Sequence, residues 1–193
     1  MRIIAGSLRS RTLVAPPGLA TRPTSDRLRE TLFNVLAPFT AGASFLDLYA
    51  GSGAGGIEAL SRGVATVTFV ERAHAALKVL HTNLVKLGLA KGFRIHPGSV
   101  GAFLRRAADA APKTERYEVV FLDPPYDAAP EYAATLSLLG GAAVGLLAPG
   151  ALVIAEHRRK ERLADSYGNL KRTRLLEQGD AALSFYAVGS VAS

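Results

Sequence analysis

From about residue 44 onward, short apolar runs alternate with stretches of helical periodicity. The runs are Ser44 to Leu48, Thr66 to Val70, Phe93 to His96, Tyr117 to Leu122 and Ala151 to Glu156. Between the second and third, Leu77, Leu80, Leu84 and Leu87 recur at helical spacing over Ala73 to Leu87, and Gly88 supplies a C-cap. This alternation predicts an α/β domain with a parallel sheet covered by helices on both faces. After it, Lys171 to Glu177 and Ala181 to Tyr186 flank Gln178-Gly179-Asp180, which reads as a hairpin. Before it, Arg2 to Ile4 and Leu8 to Leu13 around Gly6-Ser7 predict a small hairpin. A helix follows over about Asp26 to Leu36, with Leu28, Leu32, Val35 and Leu36 on one face. No internal repeat or low-complexity tract interrupts the pattern. The expected organisation is an N-terminal arm and helix over residues 1–40, then one compact unit over 41–193.

Composition changes this picture mainly through charge. Over 193 residues, 49% hydrophobic and 20% charged content is that of a globular chain with a real core. The absence of cysteine excludes disulfides, zinc fingers and iron–sulfur clusters. The start, MRIIAGSLRSRTLV, lacks the apolar centre of a signal peptide, and no stretch approaches membrane-spanning length, so a cytoplasmic protein is expected. A net charge of +7 and a pI near 10 favour an anionic partner, with nucleic acid the usual one. Residues 1 to 30 hold six arginines, Arg2, Arg9, Arg11, Arg22, Arg27 and Arg29. Arginine suits phosphate and guanine contacts better than lysine does. These six, with Thr24, are the expected nucleic-acid-binding set. Further basic patches are Arg158-Arg159-Lys160 with Arg162, and Lys171-Arg172 with Arg174.

The first chemical motif is FLDLYAGSGAGGIEAL, residues 45 to 60. Gly51-x-Gly53-x-x-Gly56 follows a strand and opens a helix, the context in which a glycine pattern lets backbone approach a ligand at a helix N-terminus. Glu71 ends the next strand, where an acid grips ribose hydroxyls. Asp47, at the C-terminal end of the first strand, would repel a pyrophosphate but suits a cationic amino-acid moiety. S-adenosylmethionine carries an ammonium and a sulfonium, so Asp47 favours it over NAD. The cofactor-binding set expected around this loop is Asp47, Tyr49, Gly51, Ser52, Gly53, Gly56, Glu71 and Arg72, with no metal.

The second motif is FLDPPYD, residues 121 to 127. Two prolines must end the strand, and each holds the residue before it extended. Asp123 and the Pro124 carbonyl are thereby presented at the strand's C-terminal edge to accept the two N–H groups of an aromatic amine, aiming its lone pair at a methyl carbon. Tyr126 would stack on the base. Asp123, Pro124, Pro125 and Tyr126 are the expected catalytic residues.

With these motifs the chain resembles the RsmD-type 16S rRNA guanine-N(2) methyltransferases over nearly its whole length. The resemblance rests on RIIAGSLRSRTL (2 to 13), RPTSDRLRETLFNVL (22 to 36), LDLYAGSGAGGIEALSRG (46 to 63), VER (70 to 72), FLDPPY (121 to 126) and LLAPGALVIAE (146 to 156). The glycine loop and DPPY are shared by many amino-methyltransferases, whereas RPTSDRLRETLF is the specific part. The resemblance implies a Rossmann-like class I methyltransferase sheet of seven strands whose last pair is antiparallel. It also implies a guanine 2-amino group as target, in small-subunit rRNA within an assembling subunit, and a monomeric enzyme. The resemblance adds Ser99 and Val100 to the cofactor-binding set: relatives usually carry Asp where Ser99 stands, at the position expected to bind the adenine amine, and serine accepts a hydrogen bond more weakly. An amino-methyltransferase acting on an adenine amine, on DNA or on a protein glutamine stays open, as does a non-catalytic RNA-binding module.

Overall fold

The computed structural model of the protein describes residues 1–15, 23–109, 116–125 and 129–189. After the N-terminal arm come α1 (Pro23–Thr40), β1 (Ser44–Leu48), α2 (Ala54–Ser61), β2 (Thr66–Glu71), α3 (His74–Lys86) and β3 (Phe93–Pro97). The second half supplies α4 (Val100–Asp109), β4 (Tyr117–Leu122), α5 (Ala129–Gly140), β5 (Leu147–Arg158), β6 (Ser166–Tyr167), β7 (Leu170–Gln178) and β8 (Ala181–Val188). The strands form one sheet in the order β3-β2-β1-β4-β5-β8-β7-β6. β1 to β5 run parallel, and β8 pairs antiparallel with β5. The chain order reverses between β1 and β4, and an open α/β sheet binds ligands in the crevice beyond the strand ends at such a point.

Side-chain alternation along the strands builds two cores. Phe45, Val119, Phe121 and Ile154 face Leu28, Leu32, Phe33 and Leu36 of α1, Ile57 of α2 and Leu80 and Leu84 of α3. Leu46, Leu48, Val120, Leu122 and Ala155 face Phe103 and Leu104 of α4 and Tyr132, Leu136 and Leu139 of α5. On β1 this places Asp47 on the α1–α2 side, as the residue two on from Phe45.

Three expectations are corrected. The sheet has eight strands rather than seven, because the two-residue β6 adds a short edge beside β7. The helix predicted over Asp26 to Leu36 is longer in both directions and holds Pro38 in its last turn. The predicted N-terminal hairpin is instead a loop closed by the single bridge between Arg2 and Thr12, with Ile3 N–H donating to Arg11 at 2.9 Å and Leu13 N–H to Met1 at 3.0 Å. Two strands alone cannot bury a face, so the arm is held by what it packs on.

Ile3 and Leu13 are buried in the first core. The fully buried Glu58 of α2 accepts the N–H groups of Ile4 (2.8 Å) and Ala5 (3.1 Å). Ser61 accepts the N–H of Leu8 at 3.0 Å, and Asn83 of α3 pairs with both backbone groups of Val14. A Cβ on Gly6 would collide with the Ser61 carbonyl, so only glycine allows this approach. The arm is therefore integral to the first core. Among the described residues, no helix is long and apolar enough to cross a membrane.

Candidate active site

The crevice forms where β1, β2, β4 and β5 end. Leaving β1, the chain turns at Tyr49, whose φ of 63° is uncommon for a residue with a Cβ, and at Gly51 and Gly53, also at positive φ. Backbone strain of this kind concentrates at functional loops. Glu71 ties the turn to the end of β2: its carboxylate accepts the N–H of Gly51 at 2.8 Å and that of Ala73 at 2.7 Å. Asp47 accepts the N–H of Gly56 at 2.7 Å, in the first turn of α2.

The glycines divide by role. Gly51 has only the Tyr49 carbonyl, 3.9 Å away, within reach of a Cβ, so its backbone faces open space. A Cβ on Gly53 would strike Leu80, and one on Gly56 would strike Phe69 and Val67. Gly51 is thus the glycine whose backbone can meet a ligand, and Gly56 lets α2 lie close on β2. Ser52 is buried, and its carbonyl accepts the Asn83 amide at 2.9 Å.

Other expected cofactor residues are engaged elsewhere. The Tyr49 hydroxyl donates to Glu131 at 2.7 Å and lies 2.7 Å from the Thr135 hydroxyl, both on α5. Burial, chiefly, holds that phenol well above its usual range. Arg72 reaches the same Glu131 at 3.8 Å. Tyr49 and Arg72 therefore brace the loops after β1 and β2 against α5. Ser99 is exposed and caps α4, accepting the Ala102 N–H at 3.3 Å, while Val100 is buried. The same loop is drawn beside Glu71 by Gly98, whose N–H donates to the Glu71 carbonyl at 2.8 Å.

At the end of β4, Asp123 is half-buried, Pro124 buried and Pro125 exposed; Tyr126 lies outside the described residues. Asp47 stands opposite Phe121 in the β1–β4 register, two residues before Asp123. Burial pushes the Asp47 carboxyl up to about 7, with Asp123 and Glu71 adding repulsion and the Gly56 N–H opposing. Burial also raises Asp123 to about 7. On β5, burial and the charge of Asp123 push Glu156 well above the usual carboxylate range, while Arg29 pulls the other way. Four carboxyl groups thus share one crevice, an environment that stabilises a cation. An acid-lined crevice with open backbone at Gly51 fits the ammonium and sulfonium of S-adenosylmethionine, and it would repel a dinucleotide pyrophosphate. Among the described residues, no cluster of His, Cys, Asp and Glu could hold a metal ion.

The arginines expected to meet RNA part company. Arg2, Arg9, Arg11 and Arg27 are exposed, and Arg11 also donates to the Lys86 carbonyl at 3.2 Å. Arg29 is not a surface arginine: it is buried, donating to the Arg2 carbonyl at 2.7 Å and to Asp26 at 3.0 Å. Its place on the apolar face of α1, one position after Leu28, forces it inward. Arg22 and the Thr24 side chain lie outside the described residues. Exposed Arg159, Lys160 and Arg162, with Arg172, line a cavity of about 350 Å³ beyond the end of β5, at the sheet edge that carries Asp123.

Sequence reasoning missed Glu58, Asn83, Glu131 and Glu156. Glu58 lies 54 residues from its partner Ile4, and Glu131 lies 82 from Tyr49, so no local pattern marks them. Only Glu156 carried a signal, as a lone acid ending an apolar run.

A family model described as "Conserved hypothetical protein 95" matches residues 1–187. The Bacillus subtilis protein named "Putative rRNA methyltransferase YlbH" is 37% identical over 187 residues, covering 96% of this chain and 98% of that one. "Ribosomal RNA small subunit methyltransferase D" of Escherichia coli K12 is 44% identical over 126 residues, 65% of this chain and 60% of that one. Among solved structures, "Putative methyltransferase yhhF" from Escherichia coli superposes with a TM-score of 0.81 at 36% identity, covering 96% of each chain.

Proposed function

Because this chain belongs to the family described as conserved hypothetical protein 95, we propose that it methylates the exocyclic 2-amino group of a guanine in 16S rRNA. S-adenosylmethionine supplies the methyl group from its sulfonium. One observation carries the reading: Asp123 and Pro124 end β4 at the switch point, beside the Asp47 and Glu71 loops. Relatives named as rRNA methyltransferases support the substrate class.

The chain's own groups then divide the work. Glu71 and the Gly51 backbone hold the nucleoside part, and Asp47 faces the cationic amino-acid part. Asp123 and the Pro124 carbonyl each accept one N–H of the target amine, which turns its lone pair out of conjugation and toward the methyl. As the nitrogen gains positive charge, the Asp123 carboxylate stabilises it in place, with little reorganisation left to perform. After transfer the amine sheds one proton, and Asp123 is the acceptor at hand. Its raised affinity for protons suits it to that step.

Exposed Arg2, Arg9, Arg11 and Arg27 and the Arg159–Arg162 loop grip rRNA phosphates. The substrate is the assembling small subunit in the cytoplasm, and the enzyme acts as a monomer. The test is tritium transfer from S-adenosylmethionine to 30S subunits lacking the modification, naked rRNA and duplex DNA in parallel, followed by mapping of the product. N2-methylguanine in 16S rRNA is expected. A product only on DNA, or only on an adenine amine, would replace this reading with the other amino-methyltransferase class.

A further inference from the structure

We infer that Glu156 reads the target base: its carboxylate accepts the guanine N1–H while Asp123 accepts an N–H of the neighbouring 2-amino group. The inference rests on the proposed guanine-N2 activity and adds a residue that selects the base.

Geometry places the two acids side by side. The β4–β5 register runs in step through Phe121–Ile154 and Leu122–Ala155, so the next residues stand as neighbours: Asp123 just past the end of β4, and Glu156 still within β5, opposite Leu183 of β8. Alternation puts both on the face of Phe121 and Ile154, the side where Asp47 also lies. The Glu156 backbone is pinned, since the Tyr132 hydroxyl of α5 donates to its carbonyl at 2.9 Å.

What separates these two acids from the others is that no described residue uses their acceptors. Asp47 holds the Gly56 N–H, Glu71 holds two backbone N–H groups, and Glu58 holds two more and Arg62. Among the described residues, nothing donates to the carboxylate of Asp123 or Glu156. Buried polar groups are almost always satisfied, and half-buried acceptors left open beside a reaction centre mark a place for ligand donors. Arg29 supports the same reading. It is 8% exposed, its Nε, buried without a hydrogen-bond partner, lies 3.9 Å from Glu58, and its charge opposes in part the burial and the Asp123 repulsion that raise Glu156. Held by Asp26, the Arg2 carbonyl and the nearby Glu58, it acts on Glu156 as a countercharge without donating a hydrogen bond to it.

The chemistry identifies the donor. Guanine presents N1–H and the 2-amino group in a row on one edge, two adjacent donors for two adjacent carboxylates. Adenine presents a bare N1 lone pair beside its amine, which a carboxylate repels. Asp123 alone accepts an N–H from either base, so the choice falls to Glu156.

The test uses 2-aminopurine, which keeps the 2-amino group but has a lone pair at N1 in place of N1–H. Small subunits would be reconstituted with 16S rRNA carrying guanine or 2-aminopurine at the mapped target, and single-turnover methylation measured with wild type and Glu156→Gln. Wild type should favour guanine on the order of 10- to 100-fold, the consequence of an unpaired buried acceptor facing a lone pair. In Glu156→Gln the amide donates to N1 of 2-aminopurine, so the preference should shrink at least about 10-fold, with S-adenosylmethionine affinity unchanged. Comparing ratios cancels the intrinsic reactivity of the two amines. Glu156→Asp keeps an acceptor and should keep the guanine preference at a lower rate, which separates base reading from a folding defect. N2-methylguanine formation with the same preference in wild type and Glu156→Gln overturns the role of Glu156 alone, as does a loss of cofactor affinity. No N2-methylguanine from wild type overturns the functional reading and this inference together.

Discussion

Asp123 shows how a single residue can separate chemistry from binding. In Asp123→Asn the amide can still turn an oxygen toward the target amine, so RNA and cofactor affinities should change little. The nitrogen loses its carboxylate in the transition state, however, and single-turnover rates should fall on the order of 100- to 1000-fold. Tyr126→Phe should be mild and Tyr126→Ala intermediate, through the absence of stacking worth roughly 1–3 kcal/mol. An Asp123→Asn enzyme at full rate would make this acid a strand cap. Asp47 poses the opposite case. Its carboxyl sits at about 7 when folded, against 3.8 unperturbed. A raised folded value means that the folded state holds the extra proton. The resulting stabilisation is complete below the unfolded value and is lost as pH rises from about 4 through about 7. Asp47→Asn, which can still accept the Gly56 N–H, should therefore raise the melting temperature at pH 8 by at least about 2–4 °C, have less effect at pH 5, and weaken cofactor binding. Equal melting curves at both pH values would show that Asp47 carries no buried charge.

Among the elements, the arm is where periodicity and packing disagree most. Residues 1–15 carry the exposed Arg2, Arg9 and Arg11, yet Ile3 and Leu13 lie in the core and Glu58 holds two arm amides. Deleting the arm would test stability rather than RNA binding. Substituting Arg2, Arg9, Arg11 and Arg27 by alanine separates the two: subunit methylation should collapse while melting temperature and cofactor affinity hold. Glu58→Ala makes the complementary case. Removing a fully buried carboxylate that pairs with Arg62 at 2.7 Å and holds two backbone amides should cost on the order of 3 kcal/mol. That corresponds to a fall of roughly 10 °C in thermal unfolding. A Glu58→Ala protein of unchanged stability would show that the arm docks through Ile3 and Leu13 alone.

At the scale of the whole molecule, an exposed basic surface contrasts with an acidic crevice. On the proposed reading, the net charge of +7 favours rRNA, while the four carboxyls favour a cationic cofactor. Alanine at Arg159, Lys160 and Arg162 should weaken 30S binding and flatten its salt dependence, by about one in slope for each phosphate the loop no longer neutralises. Titration of binding from low to moderate salt measures this directly, and an unchanged slope would remove the loop from the RNA face.

Strands β1 to β5, β7 and β8, the glycine turn and the Asp-Pro-Pro end of β4 were legible from residue order alone, while the short β6 was not. These rest on local physics: alternation within a strand, the freedom of glycine and the fixed φ of proline. The expected bounds of β1 and β4 are those observed, while β5 runs longer at both ends than its apolar core of 151–156. Tertiary structure alone decided which polar groups face which. Arg29 reads as one more surface arginine until α1 turns it into the core. Tyr49 and Arg72 show no partner in sequence, whereas Glu131 of α5 pairs with both, and Glu156 reads as a strand end until β5 lies beside β4. Each depends on segments tens of residues apart being brought together by the sheet order, and that order is set by burial on two faces at once, which no local window of sequence contains.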